Sequence, residues 1–370
     1  MRSRFNSGEH FKSAGLLGPI KTITVLILAL AVFVARPTFA RDKVDVVWFN
    51  DGDRVTGEIK QLEHGVLRVD THSLGEVFIQ WEDISKIESD YQFQFERTDG
   101  TRLTGSIEST SDQHEIVLVG EQQTLIFGHE KVVRISQIED AFWDRLKGSV
   151  TFGYSFTKAS SVAQGNLGIR ATHRTEKRSF SLDASMIITD DQNDDTTQRS
   201  SVGLTATRFR SDRWFNSYVL GFETSDELEL DLRSYLGAGF GRYLIQTNKS
   251  ELSLVAGLLG NSEDLNPERI GMGSEVGKSS QESLEAMFGM DYSLYVFDDP
   301  TVDLSVRLYA FPSITESGRT RAQFDVNLRW ELINDLFWEL SYYNSFDSDP
   351  PSGSTSKDDY GIVTSIGYSF

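Results

Sequence analysis

The 370-residue sequence contains no cysteine, which excludes disulfide bonds, thiolate zinc sites, a cysteine nucleophile and a lipoprotein anchor. Basic residues are also in deficit, because 36 Lys and Arg face 55 Asp and Glu, for a formal charge of −19. Since binding to a nucleic-acid backbone requires a basic surface, this balance argues against a nucleic-acid partner.

Long apolar runs are missing as well, except for "TITVLILALAVFV" at residues 22–34. This run is too short for a comfortable membrane-spanning helix of roughly 20 residues. It follows the basic residues Arg2, Arg4, Lys12 and Lys21. The small-residue sequence Thr38-Phe39-Ala40 then fits a cleavage site. We expect residues 1–40 to be a cleaved signal peptide, with a retained anchor as the alternative.

Residues 41–140 repeat themselves. "DGDRVTGEI" at 51–59 recurs 48 positions later as "DGTRLTGSI", and "WEDISKIES" recurs at the same offset as "HEKVVRISQ". Each copy opens with a turn, Asp51-Gly52 or Asp99-Gly100, where glycine takes a positive φ at little cost. The pattern predicts two small β-units, about 44–89 and 92–138, that pack on each other as one module.

This D-G-x-x-x-x-G hairpin, followed by a terminal Ile-rich strand, resembles the Sm-like fold. The resemblance covers the N-terminal module alone. Sm-like proteins often bind RNA, but this acidic, exported region does not fit that role.

Residues 147–370 contain about twelve segments with period-2 alternation, each near the roughly 9–11 residues that a tilted membrane strand needs. Short connections such as "RTEKR" and "RSDR" alternate with long ones such as "NSEDLNPERIGMGSEVGKSSQES". Outer-membrane barrels have short periplasmic turns and longer outside loops. The sequence therefore predicts an all-β protein, an antiparallel transmembrane β-barrel of about 12 strands over 147–370, with the duplicated module in the periplasm.

The chain ends in "YGIVTSIGYSF", where bulky residues alternate with small ones. We expect the bulky face to contact outer-membrane lipid and the small face to line the lumen. A terminal Phe370 with Tyr368 and Ile366 before it resembles the signal that barrels present to their assembly machinery. More narrowly, "LSYYNSFDSDPPSGSTSKDDYGIVTSIGYSF" resembles the end of the salt-induced outer-membrane protein family, a barrel domain of unknown function. That resemblance implies a fold and a location but no activity.

Charged residues alternate toward the predicted lumen. We expect the inner wall to carry Glu285, Asp291, Asp303, Arg307, Asp325, Arg329 and Glu331. They could form salt bridges that fill the barrel, or they could line a polar path for small solutes. Eight strands leave an interior filled by side chains and sixteen leave a channel, so twelve strands keep both possibilities open.

Catalysis and metal binding have little support. Of the six histidines only His173 falls in the predicted barrel, beside a short turn, and no Gly-x-Ser-x-Gly elbow occurs there. "DDQNDD" at 190–195 gathers carboxylates in an outer loop, but Thr196 and Val202 break the calcium-loop pattern. We therefore predict a protein without catalytic residues, metal or cofactor.

The leading functional expectation is a non-enzymatic structural or stress-related barrel in the bacterial outer membrane. Its module would engage a periplasmic protein or the cell wall. The alternative is a narrow diffusion channel, and a lipid-modifying barrel enzyme is the third candidate.

Overall fold

The computed structural model describes residues 44–108, 114–120, 123–138, 142–157, 162–191, 196–226, 230–265, 280–296, 301–333, 335–349 and 357–370. Within these ranges the chain forms β-strands and three short 3-10 helices. No helix in them is long and apolar enough to cross a lipid bilayer. The expected signal peptide lies outside the described residues.

The N-terminal module is one antiparallel sheet of nine strands. The strands are β1 (Asp45–Phe49), β2 (Arg54–Glu63), β3 (Val66–Thr71), β4 (Gly75–Gln80), β5 (Ile84–Arg97), β6 (Arg102–Glu108), β7 (Glu115–Val119), β8 (Thr124–Gly128) and β9 (Val132–Gln137). Their spatial order is β4-β3-β2-β1-β5-β6-β7-β8, and β9 pairs with both β2 and β5. The alternating apolar residues of these strands fill a single core, as expected for sheets that bury one face.

The two sequence repeats share strand β5. Its first half pairs with β1 through Val47↔Ile87, and its second half pairs with β9 through Phe95↔Ile135. Strand β9 also reaches the first repeat through Leu62↔Ile135. The repeats are therefore two halves of one sheet and not two separate bodies.

A stacked pair joins equivalent positions of the repeats. Trp81 and His129, 48 positions apart, each begin a short 3-10 helix, and both are buried. Their ring centroids lie 3.8 Å apart at an interplanar angle of 9°. The indole Nε1 of Trp81 donates a hydrogen bond to the carbonyl of His129 at 3.0 Å. The duplicated sequence thus packs against itself at this contact.

The rest of the described chain is a closed antiparallel barrel of twelve strands, which confirms the predicted fold class. The strands are β10 (Leu146–Thr157), β11 (Val162–Arg174), β12 (Arg178–Asp191), β13 (Thr197–Phe209), β14 (Trp214–Ser225), β15 (Leu230–Gln246), β16 (Ser250–Leu265), β17 (Ser280–Val296), β18 (Val302–Pro312), β19 (Thr320–Ile333), β20 (Leu336–Asp347) and β21 (Asp358–Ser369). Pairing of β10 with β21, including Val150↔Tyr368, closes the barrel.

The strands are longer than predicted, from 11 residues in β18 to 17 in β15 and β17. They continue because each neighbour still supplies backbone partners beyond the expected membrane span, as β15 and β16 do from Leu230↔Leu265 to Gln246↔Glu251. The extra length shortens some outer connections. The predicted contrast between short and long connections is therefore weak at 158–161 and 226–229 and clear at 266–279 and 348–357.

The barrel has an apolar outer face and an inner face that combines polar residues with a buried apolar cluster of Phe209, Phe215, Val255, Leu259, Met287 and Phe311. On β21, Tyr360, Ile362, Ile366 and Tyr368 are exposed outward, while Ser365 between them is buried. The outer face also carries Phe152, Tyr154, Leu204, Tyr218, Leu236, Phe240, Leu254, Leu258, Phe288 and Leu308. This alternation follows from the period of 2 along each strand. One rim of the barrel carries the short connections and is called the short-turn end; the opposite rim is called the long-loop end. The connections at the short-turn end are residues 175–177, 210–213, 247–249, 297–301 and 334–335.

Candidate functional site

The β2–β3 hairpin of the module reaches the short-turn end of the barrel. Its two-residue turn is His64-Gly65, with φ of 53° and 82°, the backbone required by the tightest hairpins. The His64 ring stacks on Tyr295 at the end of β17, with centroids 3.8 Å apart. Burial lowers the pKa of His64 to about 4, so the ring is neutral at neutral pH.

Glu96 on β5 is the centre of a charged cluster between module and barrel. Its carboxylate contacts Arg102 at 2.8 Å and Arg134 at 3.5 Å within the module. From the barrel, Arg174 approaches at 3.1 Å and the Gln246 side-chain amide donates at 3.0 Å. Burial alone would raise the pKa of Glu96, but the three guanidinium groups outweigh it and hold the pKa at about 2.

Further polar contacts follow the same rim. Glu82 pairs with Lys249 at 2.9 Å, and Asn248 donates a side-chain hydrogen bond to the Val132 carbonyl at 2.8 Å. Glu63, beside the hairpin turn, pairs with Lys147 at the start of β10. The module therefore covers the short-turn end of the barrel through contacts that are mostly charged or polar.

Buried ion pairs lie inside the barrel at the long-loop end. Arg233 on β15 contacts Glu223 on β14 and Glu263 on β16, each at 2.9 Å. Arg319, which directly precedes β19, contacts Glu263 at 2.9 Å and Asp347 at 2.6 Å. All of these side chains except that of Asp347 are less than a tenth exposed. The second end of the lumen is thus also occupied by side chains.

Two more arginines, Arg199 and Arg321, form ion pairs at this end. Arg199 on β13 contacts Glu223 at 3.0 Å and also pairs with Asp359 on β21. Because β13 and β21 are not neighbours in the barrel, that pair spans the lumen. Arg321 forms a bidentate contact with Glu285, at 2.6 and 2.8 Å.

Between the two ends the lumen is only partly filled. A cavity of about 450 Å³ is lined by residues that include Asp183, Tyr235, Asp291, Arg307, Tyr309 and Asp325. A second cavity of about 330 Å³ is lined by residues that include Thr151, Asn166, Arg170, Ser185, Asn327 and Ser341. Both linings include hydroxyl and charged groups that suit water and small polar solutes, and the larger cavity is also lined by apolar side chains such as Phe215, Val255 and Met287.

The predicted lumen charges occur at three levels. Asp291, Arg307 and Asp325 are cross-strand neighbours on β17, β18 and β19 and line the larger cavity. Glu285 lies at the long-loop end. It pairs with Arg321 on β19, which is not among the predicted lumen charges. The period of 2 along a strand determines that a side chain points inward. Which residue it pairs with depends on the stagger of one strand relative to the next.

The remaining predicted charges lie toward the short-turn end. Asp303 and Arg329 are cross-strand neighbours, and Arg329 donates to the Ser369 hydroxyl at 2.6 Å while its guanidinium lies 3.5 Å from the Phe337 ring centroid. Glu331 accepts a hydrogen bond at 3.2 Å from a backbone N–H in the turn between β19 and β20.

The two predicted Asp-Gly turns are present, and the terminal residues lie at the end of the strand that closes the barrel. Asp51 and Asp99 each accept a hydrogen bond from the backbone N–H two residues on, and Gly52 and Gly100 have φ of 94° and 79°. Ile366 and Tyr368 are exposed on the outer face. Phe370 exchanges two backbone hydrogen bonds with Gly148 across the closing pair of strands. Recognition of this strand by assembly machinery stays a prediction.

His173 stacks on Phe142 near the short-turn end, with ring centroids 4.3 Å apart. Residues 192–195 of the acidic loop lie outside the described residues, although Asp190 accepts a hydrogen bond from the Thr196 hydroxyl at 3.2 Å. In the described part of the chain no group of three or more His, Asp or Glu side chains is arranged to hold a metal ion.

Sequence reasoning missed the residues that close both ends: His64, Glu96, Arg199, Glu223, Arg233, Glu263 and Arg319. The inward register of β14 to β16 could have identified Glu223, Arg233 and Glu263, because they alternate with outward apolar residues. Glu96 has no such signal, since a charged residue on a module strand is more often solvent-exposed.

A family model described as "Protein of unknown function, DUF481" matches residues 150–370. No curated protein matches the chain. Among solved structures, the beta domain of the Bordetella autotransporter BrkA is 10% identical, with a TM-score of 0.32 over 61% of this chain and 98% of that one. A bacterial polysaccharide outer membrane secretin is 7% identical, with a TM-score of 0.32 over 61% and 97%. A porin is 13% identical, with a TM-score of 0.26 over 88% and 98%.

Proposed function

The chain belongs to the DUF481 family of proteins of unknown function, and from this premise we propose that it is a gated outer-membrane barrel. The duplicated N-terminal module is the gate. It closes the short-turn end of the lumen at rest, and the barrel conducts small polar solutes or ions when the module leaves. No enzymatic step is part of the proposal.

One observation carries the proposal. The chain's own module covers the end of a barrel whose interior still holds polar cavities of about 450 and 330 Å³. A barrel that served only as a packed support would fill this space with side chains, as eight-stranded barrels do. Unfilled polar space behind a cover fits a conduit better than a packed core.

The chemistry of the interface supports reversible closure. The contacts at the rim are ion pairs and hydrogen bonds, such as Glu82–Lys249 and the Glu96 cluster. Charged groups that separate regain hydration, so an exposed pair such as Glu82–Lys249 contributes only about 0–1 kcal/mol. Separation of an apolar interface would instead cost about 25 cal/mol of free energy for each Å² of apolar surface exposed to water.

A non-conducting structural barrel is the second candidate. The buried ion pairs around Arg233 and Arg319 at the long-loop end favour it, because they would block the lumen even after the module had left.

The proposal places the apolar outer face in outer-membrane lipid and the module in the periplasm. A periplasmic protein or the cell wall is the partner that would move the module. A role in salt stress rests on the resemblance of the C-terminal segment, and protein levels in cells grown at low and high salt test it.

The test is conductance across a planar lipid bilayer. The variant Glu96→Gln, which weakens docking, also carries Glu82→Cys and Lys249→Cys, and the native chain has no cysteine to interfere. We expect this protein to conduct. Crosslinking of positions 82 and 249 with a cleavable bis-maleimide should stop conduction, and cleavage of the linker should restore it. Conduction that persists after crosslinking would show that the module is not the gate. Absence of conduction in every state would favour the structural barrel.

A matched control places the crosslink away from the module. Lys357 donates a hydrogen bond to the Ser348 carbonyl at 2.8 Å in the connection between β20 and β21. The pair Ser348→Cys and Lys357→Cys, in the same Glu96→Gln background, should accept the reagent without loss of conductance.

A further inference from the structure

A cavity of about 310 Å³ lies at the junction of module and barrel. The module contributes residues of β2, β5, β6 and β9 to its wall, and the barrel contributes residues of β10, β11 and β12. Arg145, in the short segment between the two, also lines it. A molecule bound here would touch both parts of the protein.

Basic side chains converge on this cavity although the chain as a whole is acidic. The basic lining residues are Arg102, Arg134, Arg145, Lys147 and Arg174. The acidic ones are Glu63, Glu96, Glu176 and Glu251. The five basic and four acidic residues give the lining a formal charge of +1, whereas the whole chain carries −19.

The guanidinium groups have more donors than the surrounding acceptors use. Each guanidinium carries five N–H donors. Arg102, Arg134 and Arg174 share the carboxylate of Glu96, and Arg134 also pairs with Glu63. Among the described residues, Arg145 donates to the backbone carbonyls of Gln137, at 3.4 Å, and Ile138, at 2.9 Å.

Within the part of the chain that the structure describes, two of these donors are buried and make no hydrogen bond, although the Nε of Arg134 lies 3.5 Å from the Glu96 carboxylate. Among the described residues, neither the Nε of Arg134 nor the Nε of Arg145 makes a hydrogen bond. Buried donors are normally satisfied, so each such group calls for an explanation. An oxyanion in the cavity would supply acceptors to both donors. One donor, on Arg134, belongs to the module, and the other, on Arg145, belongs to the connecting segment.

We propose that this cavity binds a small tetrahedral oxyanion, namely inorganic phosphate or a small phosphate ester. Guanidinium forks that approach from several directions match the oxygens of a phosphate. Hydroxyl groups of Thr172, Thr175 and Ser179 line the same space. A volume at the lower end of the roughly 300–1,000 Å³ of ligand pockets admits such an ion but not the acyl chains of a lipid.

The bound ion would hold the module against the barrel. Arg134 belongs to the module and Arg174 to the barrel, so the complete site exists only while the two are in contact. A ligand that binds only the docked form stabilises that form by mass action. The site does not depend on conduction, so failure of the gate leaves this inference intact.

The experiment is isothermal titration of the refolded full-length protein in detergent with inorganic phosphate, together with thermal unfolding. Chloride at matched ionic strength is the reference. We expect phosphate to bind saturably and to raise the midpoint temperature of unfolding, and chloride to do neither. Arg145→Gln should weaken phosphate binding about tenfold, which corresponds to one lost hydrogen-bonded charge contact of about 1.4 kcal/mol. Arg178→Gln, exposed on β12 outside the cavity, is the matched control and should bind as the wild type does.

A second variant tests the site without removing an arginine. Ser179→Asp places a carboxylate in the cavity, and we expect it to abolish the phosphate response while the barrel keeps its heat-modifiable migration on gels. Equal phosphate binding by wild type, Arg145→Gln and Ser179→Asp would overturn the proposal, as would an identical response to chloride. A response to anionic phospholipid vesicles without one to inorganic phosphate would also overturn it, because the ligand would then be a lipid headgroup.

Discussion

At the scale of single residues, Glu96 joins the module to the barrel through a buried charged cluster. Its carboxylate is shared by two arginines of the module and by Arg174 and Gln246 of the barrel. The pKa of about 2 keeps it ionised at any physiological pH. Removing its charge would leave three guanidinium groups facing one another in a buried site.

We expect Glu96→Gln to lower the free energy of unfolding by about 3–5 kcal/mol, the usual effect of removing one partner from a buried ion cluster. The measurement is thermal unfolding of the refolded protein followed by far-ultraviolet circular dichroism. Glu88→Gln, exposed on the same strand, should change stability by no more than about 0.5 kcal/mol. Identical melting of Glu96→Gln and wild type would show that the cluster contributes nothing.

His129 should make the module sensitive to acid. Burial, and then the neighbouring His114, lower the pKa of His129 to about 4, from an ordinary value of 6.5. Between pH 6.5 and 4 the unfolded chain therefore binds a proton that the folded module does not. The contribution of neutral His129 to the free energy of unfolding is fully present above pH 6.5. It falls by up to about 3 kcal/mol as the pH drops to 4.

We expect His129→Phe to remove this part of the acid sensitivity, because it keeps the stack on Trp81 and loses no side-chain hydrogen bond from Nε2. The measurement is urea unfolding at several values from pH 7 to pH 4. His72→Phe, at an exposed turn, is the control. An acid dependence as steep in His129→Phe as in wild type would contradict the assignment.

At the scale of elements, β5 and β21 each complete a larger structure. Strand β5 belongs to both repeats of the module, pairing with β1, β6 and β9. Strand β21 closes the barrel against β10. A change in either strand should therefore affect the whole of the unit to which it belongs.

The terminal residue should matter more for assembly than for stability. One rim aromatic contributes only a few kcal/mol. We expect deletion of Phe370, or the double change Tyr368→Ser and Phe370→Ser, to leave the protein degraded or aggregated in the periplasm, as judged by fractionation of cells. Tyr360→Ser, at the other end of β21, should reach the membrane normally. Normal outer-membrane levels of the Phe370 deletion would reject the assembly-signal hypothesis.

The repeats should fold only together. A cut near Ser89 divides β5 and separates Phe95 from the first repeat. A unit of about 45 residues is marginal for an independent core. We expect a fragment of residues 41–140 to be soluble, β-rich and cooperative on melting, and a fragment of residues 41–89 to lack a cooperative transition. Cooperative melting of the shorter fragment would make the repeats separate domains.

At the scale of the whole molecule, an even number of strands places both ends of the barrel chain at the short-turn end. Leu146 begins β10 there and Ser369 ends β21 there, and the module lies at the same rim. Topology therefore fixes which connections lie at the same end of the barrel as the module.

We expect epitope tags at Gly271 or Gly353, in connections at the long-loop end, to be accessible to antibody on intact cells. Tags at Asn334 or Asn248, at the short-turn end, should require permeabilised cells. Labelling of an Asn334 tag but not of a Gly353 tag on intact cells would reverse the orientation.

The sequence by itself determined the number of barrel strands and the alternation of faces along each of them, although not their full length. Period-2 alternation is a local property, and a shift of one residue would move Tyr360, Ile362, Ile366 and Tyr368 to the wrong face, so register is strongly specified. The 48-residue repeat likewise identified the module and its Asp-Gly turns.

Only the tertiary structure decided how the lumen is closed. Glu96 meets Gln246 across 150 positions of sequence, and Arg199 meets Asp359 across 160. Alternation states that a charge points inward but not which strand lies opposite, because that depends on barrel closure and on strand stagger. The docking of the His64 hairpin on Tyr295 depends on two separately folded surfaces meeting, and no local pattern encodes that contact.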